Sequence, residues 1–199
     1  MRQQIEARFA NNIERVKKLV SIYANQLSGN GGGRRAHQTT DVLRAAVVLL
    51  HASLEDVLRS LAYWKLPAAA AEVLSEIALT GGTATKFNLG ALAVHRGKTV
   101  DEVIKASTDA SLERSNYNNT QEAAALLTSI GVPSGPLNGY MATLNAAMQR
   151  RHQTVHRADA NPNPSPGRGN HRFTHLGPTQ INGWITNTEQ FVAEVLAAV

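Results

Sequence analysis

The stretch IEARFANNIERVKKLVSIYANQL, residues 5–27, decides the fold class. Its apolar positions Ile5, Phe9, Ile13, Val16, Val20, Tyr23 and Leu27 recur at steps of three and four, which places them in one stripe along a long first helix. The run Ser28-Gly29-Asn30-Gly31-Gly32-Gly33 then ends it, because glycine is costly inside a helix and permissive in a turn.

The same periodicity continues outward. Thr39, Thr40 and Asp41 offer capping oxygens for a second helix starting near Thr40 and running to about Lys65, before Pro67. Residues 68–79, with Val73, Leu74 and Ile77, read as a third helix closed by Gly81-Gly82, and the segment around Phe87 to Val94 also reads as helical. Thr99 or Asp101 can cap a helix that carries Val103, Ile104 and Leu112; another spans Thr120 to Ile130. After the turn at residues 131–136, Leu137, Tyr140, Met141, Leu144, Ala147 and Met148 form a further stripe, and a last helix runs from about Thr179 to Val199. Asp159 to Asn170 alternate prolines and glycines with small polar groups and read as a surface loop. No long period-2 run occurs, so the expectation is an all-α chain, residues 1–199 forming one helical domain.

Composition bounds the function. An apolar fraction of 43% in 199 residues supports a buried core. The absence of cysteine excludes disulfides, thiol catalysis and cysteine-ligated zinc. The longest apolar run, Ala45 to Leu50, is far too short to span a bilayer, and Met1 to Glu6 lack a signal-peptide core, so the expected location is cytoplasmic, with no membrane partner. Of the formal charge of +5, most lies in residues 148–175, where Arg150, Arg151, Arg157, Arg168 and Arg172 stand against Asp159 alone. Such an excess beside histidines suits a phosphate-bearing partner; the plainer reading is a solvated loop.

At the centre of that basic stretch lies Arg150-Arg151-His152-Gln153-Thr154-Val155-His156-Arg157. Arg151 and His156 form an R-x-x-x-x-H pattern. Imidazole exchanges protons near neutrality, so it suits removal of the proton from an RNA 2′-hydroxyl. A guanidinium stays charged and grips phosphate oxygens through a planar fork. At about 100° per residue, His152 and His156 share a face, whereas Arg151 sits about 140° around from His156. Bringing Arg151 and His156 to one phosphate therefore needs a distorted helix end, the reach of the arginine stem, or a second copy of the chain. In a chain with 14 arginines and seven histidines, one such spacing also arises readily by chance.

Two competing patterns weigh less. His152-Gln153-Thr154-Val155-His156 has the spacing of the zinc-protease motif H-E-x-x-H, but Gln153 cannot serve as the base; no metal or other cofactor is expected. Arg168 and His175 repeat the arginine-histidine order in sequence that fixes no geometry. On the second helix, His51, Glu55, Asp56 and Arg59 include two i, i+4 pairs, an intrahelical ladder that is structurally sufficient and could also orient Arg151 or His156 across a helix contact.

Leu50 to Arg59 and Gln149 to Asp159, together with Arg96 to Ile104 and Ser129 to Val132, resemble the HEPN superfamily, specifically its RiboL-PSP-HEPN type, over about the whole chain. The resemblance implies an antiparallel helical bundle with additional short helices, dimerising so that two RxxxxH motifs face one cleft. It also implies a metal-independent endoribonuclease, serving as a toxin or in defence against phage, with RNA, a second copy of the chain and a cognate antitoxin or defence partner as its partners. Arg151 would then stabilise the scissile phosphate, His156 would act as acid or base, and His152 would fill the polar position between them. Glu55 and Asp56 match the acidic positions of the second helix, Arg59 supports them, and Arg150 and Arg157 are the candidate RNA contacts. The alternative is a non-catalytic HEPN module that binds RNA, nucleotide or a partner protein. A helical scaffold without an active site is a third reading.

Overall fold

The computed structural model describes residues 1–27, 37–82, 89–160 and 175–199. The opening stripe forms α1 (Arg2–Ile22), which runs on into a π-helical turn at Tyr23–Leu27. What the periodicity singled out is what the helix buries: Ile5, Phe9, Ile13, Val16, Val20 and Tyr23 lie in the core, with Leu27 packed against it. The glycine run at 28–33 lies outside the described residues.

The second helix, α2 (Asp41–Lys65), is rich in alanine and leucine, the strongest helix formers, and buries Leu43, Val47, Leu50, Leu54, Leu58 and Leu61. Thr40 does not cap it through its side chain. Its hydroxyl instead accepts a 2.6 Å hydrogen bond from Arg44. Two further long helices, α6 (Asn138–Arg157) and α7 (Pro178–Ala197), complete the frame around the core.

Long-range contacts fix how these four helices run. Arg8 of α1 pairs with Asp56 of α2 at 2.6 Å, so the start of α1 lies beside the later half of α2. Arg44 near the start of α2 shares a carboxylate with Arg150 near the end of α6, while Leu54 and Leu144 line one small gap farther along. Tyr140 meets Phe191 edge-on, and Val132 and Leu137, leading into α6, lie against Glu194 and Ala197 of α7. Lys65 donates to the Val199 main-chain oxygen at 3.0 Å. Successive long helices are thus antiparallel, and α2 and α7 run the same way. The described residues are all-α, with no extended strand.

Several of the shorter elements, among them Leu66–Ala68, Val100–Leu112 and Thr120–Ser129, pack against α2. Residues 68–79 do not form the expected third helix. A 3-10 turn at Leu66–Ala68 is followed by a single turn of α3 (Ala71–Leu74), none of whose residues is buried. The physical reason is length: a short helix depends on burying an apolar face, and Val73, Leu74 and Ile77 are too few to make one. Leu89–His95 form a 3-10 helix, and Phe87 lies outside the described residues. By contrast α4 (Val100–Leu112) begins at Thr99 with a reciprocal capping box: Thr99 Oγ1 accepts from the Glu102 amide while the Glu102 carboxylate accepts from the Thr99 amide at 2.7 Å. The next helix, α5 (Thr120–Ser129), is capped by Asn119 through the Glu122 amide at 2.8 Å.

Candidate active site

The RxxxxH segment occupies the last two turns of α6, a regular α-helix through Arg157. The chain leaves it through two left-handed residues that are not glycine, Ala158 at φ +46° and Asp159 at φ +61°. The amides of both Ala158 and Asp159 donate back to the Gln153 carbonyl, and Gln153 Nε2 donates to the Ala160 carbonyl at 2.9 Å. This tight reversal turns the Asp159 side chain inward.

There Asp159 is fully buried, and its Oδ2 accepts from Arg44 Nε at 2.8 Å and from Arg150 Nη2 at 2.7 Å. Arg44 is also held by Asp41 and Thr40. Burial pushes the Arg150 pKa below the usual guanidinium value; Asp159 opposes that shift and Arg44 adds to it. Arg150, expected as an RNA contact, is therefore an interior ion-pair partner. Asp159, expected to begin a surface loop, is the anion that neutralises two buried cations. Residues 161–174, including Arg168 and the rest of that loop, lie outside the described residues.

One residue further along, Arg151 turns toward α2 and the segment before α5. It is half-buried, and its Nη1 donates to Asn118 Oδ1 at 3.3 Å. Its charge is felt by His51 on α2, whose pKa is lowered first by burial and then by Arg151, with Glu55 and Asn118 pulling the other way. No hydrogen bond of good geometry reaches either His51 nitrogen or Arg151 Nε among the described residues, although Asn118 and Glu55 lie close to the His51 ring. Glu55 lies 3.8 Å from His51 and 3.0 Å from Arg59. The helix contact that would bring the α2 ladder toward Arg151 is thus present, with His51 and Glu55 on its near side.

His152 and His156 lie on another face of α6. Both are exposed, their ring centroids 4.5 Å apart and inclined at 44°, and Arg157 is exposed beside them. Because the helix stays regular, Arg151 and His156 keep the separation expected of an ideal helix. Local distortion does not unite them.

No family model matches the chain, and no curated protein or solved structure shows significant similarity to it.

The other expected site residues divide by what they touch. Asp56 is turned away from α6 and paired with Arg8, whose guanidinium also reaches Ser60. Arg59 donates to the carbonyls of Leu112 and Ser115 at 3.2 and 2.6 Å, satisfying acceptors at the end of α4, and stands over the Tyr117 ring. Both are committed to packing between helices, because their positions on α2 face α1 and α4. The described residues hold no group of three or more His, Asp or Glu placed to bind a metal. Sequence reading missed the Arg44–Asp159–Arg150 triad and the approach of Asn118 to Arg151. A signal for the first was available: Arg44 and His51 precede Leu58 at intervals of seven, which puts two polar residues on an apolar stripe of α2.

Proposed function

We propose that this chain is a metal-independent endoribonuclease of HEPN type, working as a dimer in which Arg151 of one copy and His156 of the other meet at one RNA phosphate. The observation that carries this reading is the exposed His152–His156 pair, with Arg157 beside it, on the outer face of α6, and Arg151 set about 140° away on the same regular helix. In a two-fold pairing a group on one copy meets a different group on the other, and the reverse, so Arg151 of one copy and His156 of the other can approach one phosphate. In the reaction an imidazole takes the 2′-hydroxyl proton, the oxygen attacks the adjacent phosphorus, and the 5′-oxygen leaves with a proton supplied by an acid, giving a 2′,3′-cyclic phosphate. A guanidinium stabilises the charge on the phosphorane oxygens. A role as a toxin or in phage defence goes with this reading.

Purified protein incubated with total RNA in EDTA should release fragments with 2′,3′-cyclic phosphate ends, and Arg151→Ala or His156→Ala should abolish them. Mixing the two variants should restore cleavage, since a mixed dimer contains one site with both groups intact. A requirement for divalent ions, or parent-like cleavage by either variant, ends the proposal.

The second reading, a non-catalytic module binding RNA, nucleotide or a partner protein, is favoured by Arg151's contact with Asn118. It predicts salt-dependent RNA binding without cut ends.

A further inference from the structure

We infer that the chain carries a second site, unrelated to RNA: a cavity between the segment after α3, the 3-10 helix Leu89–His95 and α4, which takes a small amphipathic monoanion with an aliphatic body and a carboxylate head. The cavity measures about 480 Å³, within the range of about 300–1,000 Å³ usual for small-ligand sites. Its walls are mainly apolar, with Leu74, Ile77, Leu92, Val103 and Ile104 among them. Leu89 and Val94, on the 3-10 helix, and Val100, which lines the cavity, are strongly exposed, so apolar surface continues outside it.

The polar groups specify the head. Ser107 is committed in both directions, accepting from the Thr80 amide at 3.0 Å and donating to the Val103 carbonyl at 2.8 Å. Thr108 donates to the Lys105 carbonyl, and the Thr99 hydroxyl belongs to the α4 capping box. His95 is different: it is buried in the wall, and neither ring nitrogen has a hydrogen-bond partner among the described residues. A buried polar group left unpaired costs about 1–3 kcal/mol, and an unpaired one in a cavity wall is a contact waiting for a ligand. Among the described residues that line the cavity Lys98 is the charged one, and the Glu102 carboxylate just outside the lining lies close enough to feel its charge. Glu102, the nearby carboxylate, is turned to Thr99. A carboxylate therefore meets a cation at Lys98 and an N–H donor at His95, while its chain lies on the aliphatic walls. Both His95 nitrogens are shielded from water, so engaging the head group requires the ring to turn, which makes its resonances a reporter.

The test is titration of the full chain with decanoate below its micellar concentration, followed by thermal unfolding and by NMR of the His95 ring. Saturable stabilisation with movement of the His95 signals is expected. His95→Phe and Lys98→Gln should each weaken decanoate roughly tenfold, the value of one charged hydrogen bond, while leaving decanol binding nearly unchanged. Val103→Trp, which fills the cavity, should abolish binding of both. Lys98 is exposed, so its variant keeps the test informative if a core variant fails to fold. Absence of saturable binding overturns the proposal, as does decanoate affinity unchanged in Lys98→Gln and His95→Phe. Full binding by a folded Val103→Trp places the ligand elsewhere and does the same.

Discussion

Replacing Asp159 by asparagine should be among the most damaging single changes in the chain, although the position looks like the start of a loop. Asparagine keeps the shape and tolerates the left-handed backbone at φ +61°, so the substitution removes charge with little else. The Arg44 and Arg150 side chains are only 9% and 7% exposed, the Asp159 side chain 0%. Two guanidinium groups would then face each other in the interior without their shared anion. Breaking a buried ion pair by removing one partner costs about 3–5 kcal/mol. The lower end applies here, because Arg44 keeps Asp41 and Thr40. At about 2–4 °C per kcal/mol for a chain of this size, the melting temperature should fall by roughly 6–12 °C. Denaturant unfolding of the parent, Asp159→Asn, Arg44→Met/Arg150→Met and the combined variant forms a cycle that isolates the coupling. With both arginines replaced, Asp159→Asn should be neutral or stabilising, since the aspartate is then the uncompensated charge. A loss below about 1 kcal/mol in the parent background, or the same loss in both backgrounds, would refute the reasoning.

Ala158→Gly should raise stability by about 1 kcal/mol, because a residue with a Cβ is held at φ +46° and glycine is not strained there; unchanged denaturation would show that the strain is relieved otherwise. The lowered pKa of His51 makes stability pH-dependent: below its ordinary value of 6.5 the unfolded chain takes up the proton more readily than the folded one, so unfolding free energy should fall as pH drops from 6.5 toward the lower folded value and should not depend on this group above it. His51→Gln should remove that part of the slope, and identical slopes in parent and variant would rule the residue out. Arg59→Met should loosen the end of α4, seen as faster amide exchange around residues 112–116, since two carbonyls there lose their donor; unaltered exchange would count against the clamp.

Helical spacing made most of the frame legible. In α1, where the apolar stripe is long, the buried residues are those the period selects, because burial of one face is what such a helix requires. The failure at residues 68–79 has the converse cause, since alanine favours a helix without anchoring it. At the candidate site, the 140° offset between Arg151 and His156 follows from helix geometry alone and survives in the structure. What spacing could not provide was the partner of each charge. Arg150 and Arg151 are adjacent and chemically identical, yet one is spent on Asp159, nine residues away through a left-handed reversal, and the other faces Asn118, 33 residues away. Those choices depend on which helix lies alongside.

The triad also bears on how the site can work. By joining the start of α2 to the end of α6, Arg44, Asp159 and Arg150 fix the rotation of the RxxxxH helix about its axis. With Arg150 locked inward, the following residue must project toward α2 and Asn118, and the positions of His152 and His156 must project outward. Turning α6 about its axis would withdraw Arg150 from Asp159 and leave charge buried. Within one chain, then, Arg151 and His156 stay about 140° apart around α6 while the triad holds. On the proposed reading, the two groups meet at one phosphate only across a second copy, and the triad, by holding the rotation of α6, sets the faces with which that copy would dock.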